Sequence, residues 1–163
     1  MEVTFKGEPM KIEGIQPTIG EPIPAFSLKD TAGNVISRES LKGNVAIISV
    51  FPDINTSVCD KQTRNFNEAA SDIEGIQLVS VSKNSQDELK EWCAAKGLEV
   101  VMLPDNEGTF GEAFGLNLPK INKLARSVFV VTQEGLLAYK EIVPEVAEEP
   151  NYEAAVEAAK DLL

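Results

Sequence analysis

The chain has 163 residues, of which 43% are hydrophobic and 25% are charged, and it contains two cysteines and no histidine. Its net charge of -11 at pH 7 argues against a nucleic-acid-binding surface, because contacts to phosphates need clustered lysine and arginine. The lack of histidine excludes Ser-His-Asp and Cys-His catalysis and histidine-ligated metals, and two cysteines cannot form a four-thiolate zinc site within one chain. We expect one globular domain, residues 1–163, with a full hydrophobic core.

The N-terminal part of the chain predicts short antiparallel strands. Residues 3–5 and 10–12, joined by a Gly/Pro turn at 6–9, predict an N-terminal hairpin. Residues 25–28 predict a further strand. After a segment of turn-forming residues, residues 35–37 predict a strand that runs back beside it.

The segment that follows carries the first cysteine. Residues 45–50 are almost entirely apolar and predict a buried strand, whereas residues 60–71 predict a helix. Cys59 therefore falls where a strand has ended and a helix begins. Helix N-termini carry unpaired N–H groups and a partial positive charge. A thiol placed there ionises more readily, and the thiolate is the reactive form.

The second half of the chain alternates between strands and helices. Ser85, with Glu88 three positions later, predicts a capped helix that contains Leu89, Trp92 and Cys93. The other predicted elements are strands at 76–82, 100–103, 127–131 and 135–139, a short helix at 110–115 and an amphipathic helix from Asn151. This order predicts the α/β class, with a central mixed β-sheet flanked by helices.

Pro52, Thr56 and Cys59 form the pattern Pro-x-x-x-Thr-x-x-Cys at this strand-to-helix junction. The pattern resembles the active-site motif of the peroxiredoxins, thiol peroxidases with a thioredoxin-like fold. The N-terminal hairpin, Cys93 on the following helix and the segment 124–129 around Arg126 are similar to the thiol peroxidase branch, the atypical two-cysteine type. The resemblance extends over nearly the whole chain.

The resemblance implies a role for each motif residue. Cys59 would be the peroxidatic nucleophile, which attacks one peroxide oxygen and becomes a sulfenic acid. The Thr56 hydroxyl would hydrogen-bond with the reacting oxygens and the thiolate, and the rigid ring of Pro52 would shield the thiolate from water. Arg126 would stand at the start of a strand facing the pocket, where its charge stabilises the thiolate and the departing oxygen.

The resemblance also implies that Cys93 is the resolving cysteine, which forms an intramolecular disulfide with Cys59 that thioredoxin reduces. A disulfide requires Cα atoms within about 7 Å, and the two cysteines are predicted on different helices. We therefore expect local unfolding when the bond forms, either of the first turn of the Cys59 helix alone or of that turn together with part of the Cys93 helix.

Simpler interpretations remain open at each position. Cys59 and Cys93 are each consistent with a small buried residue, Thr56 with a helix cap and Arg126 with a surface ion pair. Trp92 is expected in the core. The alternatives to a peroxidase are a non-catalytic peroxide sensor or partner-binding module switched by the same disulfide, and a thioredoxin-fold domain with two buried thiols.

The expected partners are a hydroperoxide substrate, thioredoxin as reductant and a second copy of the chain in a homodimer, all implied by the resemblance. Neither a cofactor nor a metal is expected. The apolar runs are too short to span a membrane, and the N-terminus has no basic region leading into an apolar stretch. The cytoplasm is the expected location.

Overall fold

The computed structural model of the protein describes residues 1–70, 72–97 and 100–163. The strands are β1 (Glu2–Phe5), β2 (Glu8–Lys11), β3 (Ser27–Lys29), β4 (Val35–Ser37), β5 (Val45–Val50), β6 (Ile76–Ser82), β7 (Val101–Pro104), β8 (Asn117–Leu118), β9 (Lys123–Leu124), β10 (Ser127–Val131) and β11 (Leu137–Ile142). The helices are α1 (Arg38–Leu41), α2 (Ser57–Ala70), α3 (Gln86–Lys96), α4 (Thr109–Phe114) and α5 (Tyr152–Lys160).

A five-stranded mixed sheet forms the centre, in the order β11-β10-β5-β6-β7. Strands β5, β6 and β7 run parallel, whereas β10 is antiparallel to both β5 and β11. All six residues of β5 are buried, as expected for an apolar strand with helices on both sides of the sheet. The predictions of a central mixed sheet flanked by helices and of an N-terminal hairpin, β1-β2, are confirmed.

The two faces of the sheet bury different elements. On one face, Val45 and Ile47 of β5 pack with Phe66 of α2 and with Ala155 and Ala159 of α5. On the other face, the alternate β5 residues share a cluster with side chains from the hairpin, β10 and α4. The alternation of side chains along β5 thus divides the core in two.

The helix that carries Cys59 begins at Ser57, three residues earlier than predicted. Thr56 starts it: its N–H donates to the Asp53 carbonyl at 3.1 Å, and its own carbonyl accepts the N–H of Asp60 at 3.0 Å. The turn formed by residues 53–56 therefore winds directly into the helix, and Cys59 becomes its third residue. The last residue predicted for this helix, Ser71, lies outside the described residues.

Other differences are shifts of one to three residues at strand ends and three short elements that were not predicted, α1, β8 and β9. The predicted capping box is confirmed, because Ser85 and Glu88 bond reciprocally at the start of α3.

Glu145 fastens the N-terminal hairpin to the loop that follows β11. Its carboxylate accepts N–H groups from Ala147 at 2.7 Å, Gly7 at 2.8 Å and Lys6 at 3.1 Å, and the Thr4 hydroxyl at 3.0 Å. These bonds, led by those from Ala147 and Gly7, lower the pKa of Glu145 to about 2. The turn of the hairpin is therefore tied to the loop containing Val146.

We predict that Glu145→Gln lowers the melting temperature at pH 7, because an amide accepts fewer and weaker hydrogen bonds than a carboxylate. The folded pKa of Glu145 lies below the ordinary value of 4.5 for a glutamate, so the stabilisation is complete well above pH 4.5 and is lost as pH falls towards about 2. The difference in melting temperature between the variant and wild type should therefore begin to narrow near pH 5 and shrink steadily as pH falls to about 3 and below. The control is Glu148→Gln, an exposed carboxylate in the same loop. A constant difference across this pH range would contradict the assignment.

Candidate active site

Cys59 lies fully buried in the first turn of α2. Its Sγ accepts the backbone N–H of Asp53 at 3.4 Å. The thiol belongs to an apolar cluster whose other buried members are Phe51, Ile54, Leu89, Trp92 and Met102. The fold thus surrounds this sulfur with apolar side chains and gives it a backbone hydrogen-bond donor.

The loop that supplies this donor is held by its own side chains. The Asp53 carboxylate accepts the Asn55 N–H at 3.0 Å and the Asn84 side-chain amide at 3.0 Å, and pairs with Lys123 at 3.2 Å. Burial of Asp53 opposes ionisation, but these hydrogen bonds outweigh it and lower the pKa of the carboxyl group. The ionised carboxylate of Asp53 therefore holds in place the loop whose N–H contacts the Cys59 sulfur.

Asn84 joins this loop to the end of β6. Its Oδ1 accepts the buried Ile54 N–H at 2.9 Å and the Ser82 hydroxyl at 2.9 Å. Sequence reasoning missed both Asp53 and Asn84. Their positions in the sequence could have indicated them. Each residue follows a buried parallel strand, and the carboxyl ends of such strands meet at one edge of the sheet.

Arg126 directly precedes β10 and is 2% exposed. Its Nε donates to the Val146 carbonyl at 2.7 Å and its Nη1 to Gln62 Oε1 at 2.8 Å. Both acceptors are neutral, and none of the carboxylates that the structure describes forms an ion pair with this guanidinium. A buried cation without a paired anion creates a strong local preference for negative charge.

Gln62 is the residue that orients Arg126 relative to α2. It is fully buried, and its Nε2 donates to Ser49 Oγ at 2.8 Å and to the Val50 carbonyl at 3.1 Å. Sequence reasoning missed Gln62 as well. The sequence did contain a signal for Gln62, because it is a polar residue on the core-facing side of a predicted helix, three positions after Cys59.

A cavity of about 220 Å³ opens at the start of α2. It brings together three of the predicted site residues, Pro52, Thr56 and Arg126. The remaining lining residues come from the hairpin, the turn before α2, the start of α2, β9 and the loop after β11: Phe5, Lys6, Asp53, Ser57, Val58, Lys123, Val146 and Ala147. Cys59 is not one of the lining residues, but its Sγ accepts a hydrogen bond from the N–H of Asp53, which is.

Thr56 is exposed and Pro52 is buried. The Thr56 hydroxyl donates to the Asp53 carbonyl at 2.9 Å, so it stabilises the turn before the helix. Its oxygen retains lone pairs that can accept a further hydrogen bond.

Cys93 lies on α3, half-buried, and packs against the same apolar cluster as Cys59. It lines a different cavity, whose other walls are formed by the loop after β3 and by Val100 and Val101. Burial raises the pKa of the Cys93 thiol. Both cysteines are free, so the structure represents the reduced protein. Cys93 is therefore close to the Cys59 cluster but outside the cavity that contains Arg126.

Comparison with known proteins identifies the family. Residues 19–140 match the AhpC/TSA family. The chain belongs to this family. It is 42% identical over 161 residues to a thiol peroxidase of Listeria innocua, covering 98% of each chain. It is 40% identical over 164 residues to a thiol peroxidase of Bacillus subtilis, covering 99% of this chain and 98% of the relative.

Solved structures agree with this placement. A peroxiredoxin-like protein from Aquifex aeolicus superposes with a TM-score of 0.93 at 29% identity, covering 99% of this chain and 97% of the other. A thiol peroxidase from Chromobacterium violaceum has a TM-score of 0.85 at 16% identity, with coverage of 99% and 96%, which shows the shared fold. The predicted thioredoxin-like fold and the resemblance to the thiol peroxidase branch of the peroxiredoxins are confirmed.

The protein is therefore a peroxiredoxin-type enzyme that reduces peroxides with a thiol, rather than a non-catalytic domain. Among the helices of the described residues, none combines the length and the apolar character needed to cross a bilayer.

We predict that Asn84→Ala destabilises the protein by about 1–3 kcal/mol, because it leaves the buried Ile54 N–H without its acceptor. Hydrogen exchange of the amides in residues 53–56 should accelerate, and chemical denaturation should report the loss of stability. The matched control is Asn55→Ala in the same loop, whose exposed amide bonds to Glu88 and whose loss should cost less than about 0.5 kcal/mol. Equal effects of the two substitutions would contradict the anchoring role of Asn84.

Proposed function

We propose that the protein reduces hydrogen peroxide and organic hydroperoxides with Cys59 as the peroxidatic nucleophile. The thiolate attacks one peroxide oxygen, the O–O bond breaks and Cys59 becomes a sulfenic acid. The other oxygen takes up a proton and leaves as water or an alcohol. The observation that carries this proposal is the placement of a buried, unpaired Arg126 in the cavity beside the turn that holds Cys59.

Each residue around this cavity has a physical part in the proposed reaction. The Arg126 guanidinium favours the thiolate and stabilises negative charge on the departing oxygen, and Gln62 and Val146 hold it in one orientation. The Thr56 oxygen accepts a hydrogen bond from the bound hydroperoxide. Pro52 is buried and has no N–H, so it excludes water without adding a competing donor.

The cavity supports organic substrates in addition to hydrogen peroxide. Phe5, Val58 and Val146 contribute apolar surface to its walls. Apolar walls with few polar groups are typical of sites for small organic ligands. The alkyl part of a hydroperoxide would lie against these residues while its O–O group lies near Arg126.

Cys93 is proposed as the resolving cysteine. Its thiol attacks the sulfenic sulfur of Cys59, a disulfide forms and water is released. The two residues line or adjoin different cavities, which supports local unfolding of the first turn of α2 as the route to the disulfide. Thioredoxin then reduces the bond by thiol–disulfide exchange, and its own two thiols are oxidised.

We further propose that residues 1–163 form a single domain. Two copies of the chain would form a homodimer that works in the cytoplasm. Membership of the peroxiredoxin family supports the dimer. Sedimentation velocity of the reduced protein tests it, and a monomer at micromolar concentration would contradict it.

Replacement of each cysteine separates the two proposed steps. With Cys59→Ser, peroxide consumption in the presence of thioredoxin and its reductase should be abolished. With Cys93→Ser, the first turnover should remain while thioredoxin-linked recycling fails. Mass spectrometry of peroxide-treated wild type should show the loss of two hydrogens within one chain. Unchanged turnover of Cys59→Ser would disprove the proposal, and a slow reaction of wild type in stopped flow would favour the sensor alternative.

The pH dependence of the resolving step shows whether Cys93 reacts from its buried position or after its helix has opened. Burial raises the pKa of its thiol in the folded protein, and the thiolate is the attacking species. The rate of disulfide formation should therefore increase as pH rises from 6 towards 10. If the helix opens first, the midpoint should fall near about 8.5, the value of an exposed thiol. A clearly higher midpoint in rapid-quench alkylation would mean that Cys93 attacks from its buried position.

A further inference from the structure

A hydrogen bond joins the two helices that carry the cysteines, one position away from each sulfur. Asp60 follows Cys59 on α2, and Trp92 precedes Cys93 on α3. Trp92 Nε1 donates to Asp60 Oδ1 at 2.9 Å. The indole is 8% exposed, and the Asp60 side chain 19%. This polar contact is therefore largely sheltered from water, at the edge of the cluster that contains both thiols.

Two basic side chains also face the Asp60 carboxylate. Lys96 Nζ lies 3.7 Å from Oδ1, and Arg64 Nε lies 3.5 Å from Oδ2. Both basic side chains are 40% exposed or more, and exposed ion pairs contribute little because water and salt screen them. The indole N–H is the shorter and more sheltered contact to Asp60, and it connects α2 to α3.

The same aspartate belongs to the turn that has to open. The Asp60 N–H donates to the Thr56 carbonyl, which is the first hydrogen bond of α2. Cys59 Sγ is bonded on the side of the loop before the helix, by the Asp53 N–H. In the route proposed above, Cys59 reaches Cys93 when this turn unwinds, and unwinding moves Asp60 away from Trp92.

We propose that the Asp60–Trp92 hydrogen bond is a latch that holds the first turn of α2 closed in the reduced enzyme and limits the rate of resolution. The inference rests on the disulfide chemistry proposed above. In that step the Cys93 thiol and the Cys59 sulfenic acid form the Cys59–Cys93 disulfide and one water. Asp60 and Trp92 are positioning residues, since they act through the placement of Cys59.

The latch has a second consequence at high peroxide concentration. A second hydroperoxide competes with Cys93 for the sulfenic acid and oxidises it to a sulfinic acid, leaving water or an alcohol. A closed turn prolongs the lifetime of the sulfenic acid and so favours this competing oxidation. Loss of the latch should protect Cys59 from it.

The test uses Asp60→Ala, Trp92→Phe and the double variant in the full-length protein. Trp92→Phe removes the N–H and keeps an aromatic ring in the core, and Asp60→Ala gives a second way to break the same bond. The control is Asp87→Ala, an exposed aspartate in the first turn of α3. Rapid quenching, alkylation and mass spectrometry measure thiol loss at Cys59 and disulfide formation separately for each variant.

Each single variant should form the disulfide about three- to tenfold faster, while the oxidation of Cys59 changes less than twofold. The double variant should be no faster than the single variants, because both break one interaction. The equilibrium constant for disulfide formation should rise about tenfold, which is about 30 mV towards more negative potential, since the reduced state loses stabilisation. Unchanged resolution, additive effects or the same acceleration in Asp87→Ala would overturn the latch.

Hydrogen exchange of the reduced proteins separates this inference from the proposed function. Without any peroxide, the amides of residues 60–63 should exchange faster in both single variants than in wild type or Asp87→Ala. Unchanged exchange would overturn the latch whether or not the disulfide forms. Absence of the disulfide in wild type, together with faster exchange in the variants, would overturn the proposed resolving step and the rate-limiting role of the latch, and would support only its role in holding the first turn of α2 closed.

Discussion

A single buried guanidinium joins the parts of the molecule that form the cavity. Arg126 bonds to Gln62 on α2 and to the carbonyl of Val146, and Gln62 in turn bonds to the end of β5. The Val146 loop is itself tied to the N-terminal hairpin through Glu145. Because both of these acceptors of Arg126 are neutral, its charge is available to an anion in the cavity. The same contacts that position the cation therefore hold helix, strand, loop and hairpin around it.

The proposed reaction places two opposing demands on the turn before α2. The turn must hold Cys59 in place, and it must open when the proposed disulfide forms. The turn of residues 53–56 and the first hydrogen bond of α2 fix Cys59 against the Asp53 N–H, and Asn84 fixes that turn to β6. The other long-range bonds of this segment are made by side chains, those of Asp53, Asn55 and Asp60. A local equilibrium of this kind can be adjusted by single side chains without altering the sheet beneath.

Much of the fold followed from apolar pattern and spacing in the sequence. The all-apolar run 45–50 is the central strand, and the Ser85–Glu88 pair caps α3 as predicted. Helix α2 began earlier than predicted because the turn at Asp53 is closed by Thr56, a local bond that periodicity does not reveal. Cys59, Thr56 and Pro52 follow from the motif at the strand-to-helix junction, and Arg126 follows from the likeness of segment 124–129 to the thiol peroxidase branch. Asn84 and Gln62 were missed because their roles depend on bonds between residues far apart in the chain, which a pattern within one segment does not contain.

Trp92 is the only tryptophan in the chain, and its indole lies in the cluster shared by the two thiols. Indole emission responds to the hydrogen bond made by the ring nitrogen and to the entry of water. The protein therefore contains an intrinsic fluorophore at the contact between the two helices that carry its cysteines. Any opening of that contact would change the tryptophan emission of unlabelled protein, in real time and with both cysteines intact.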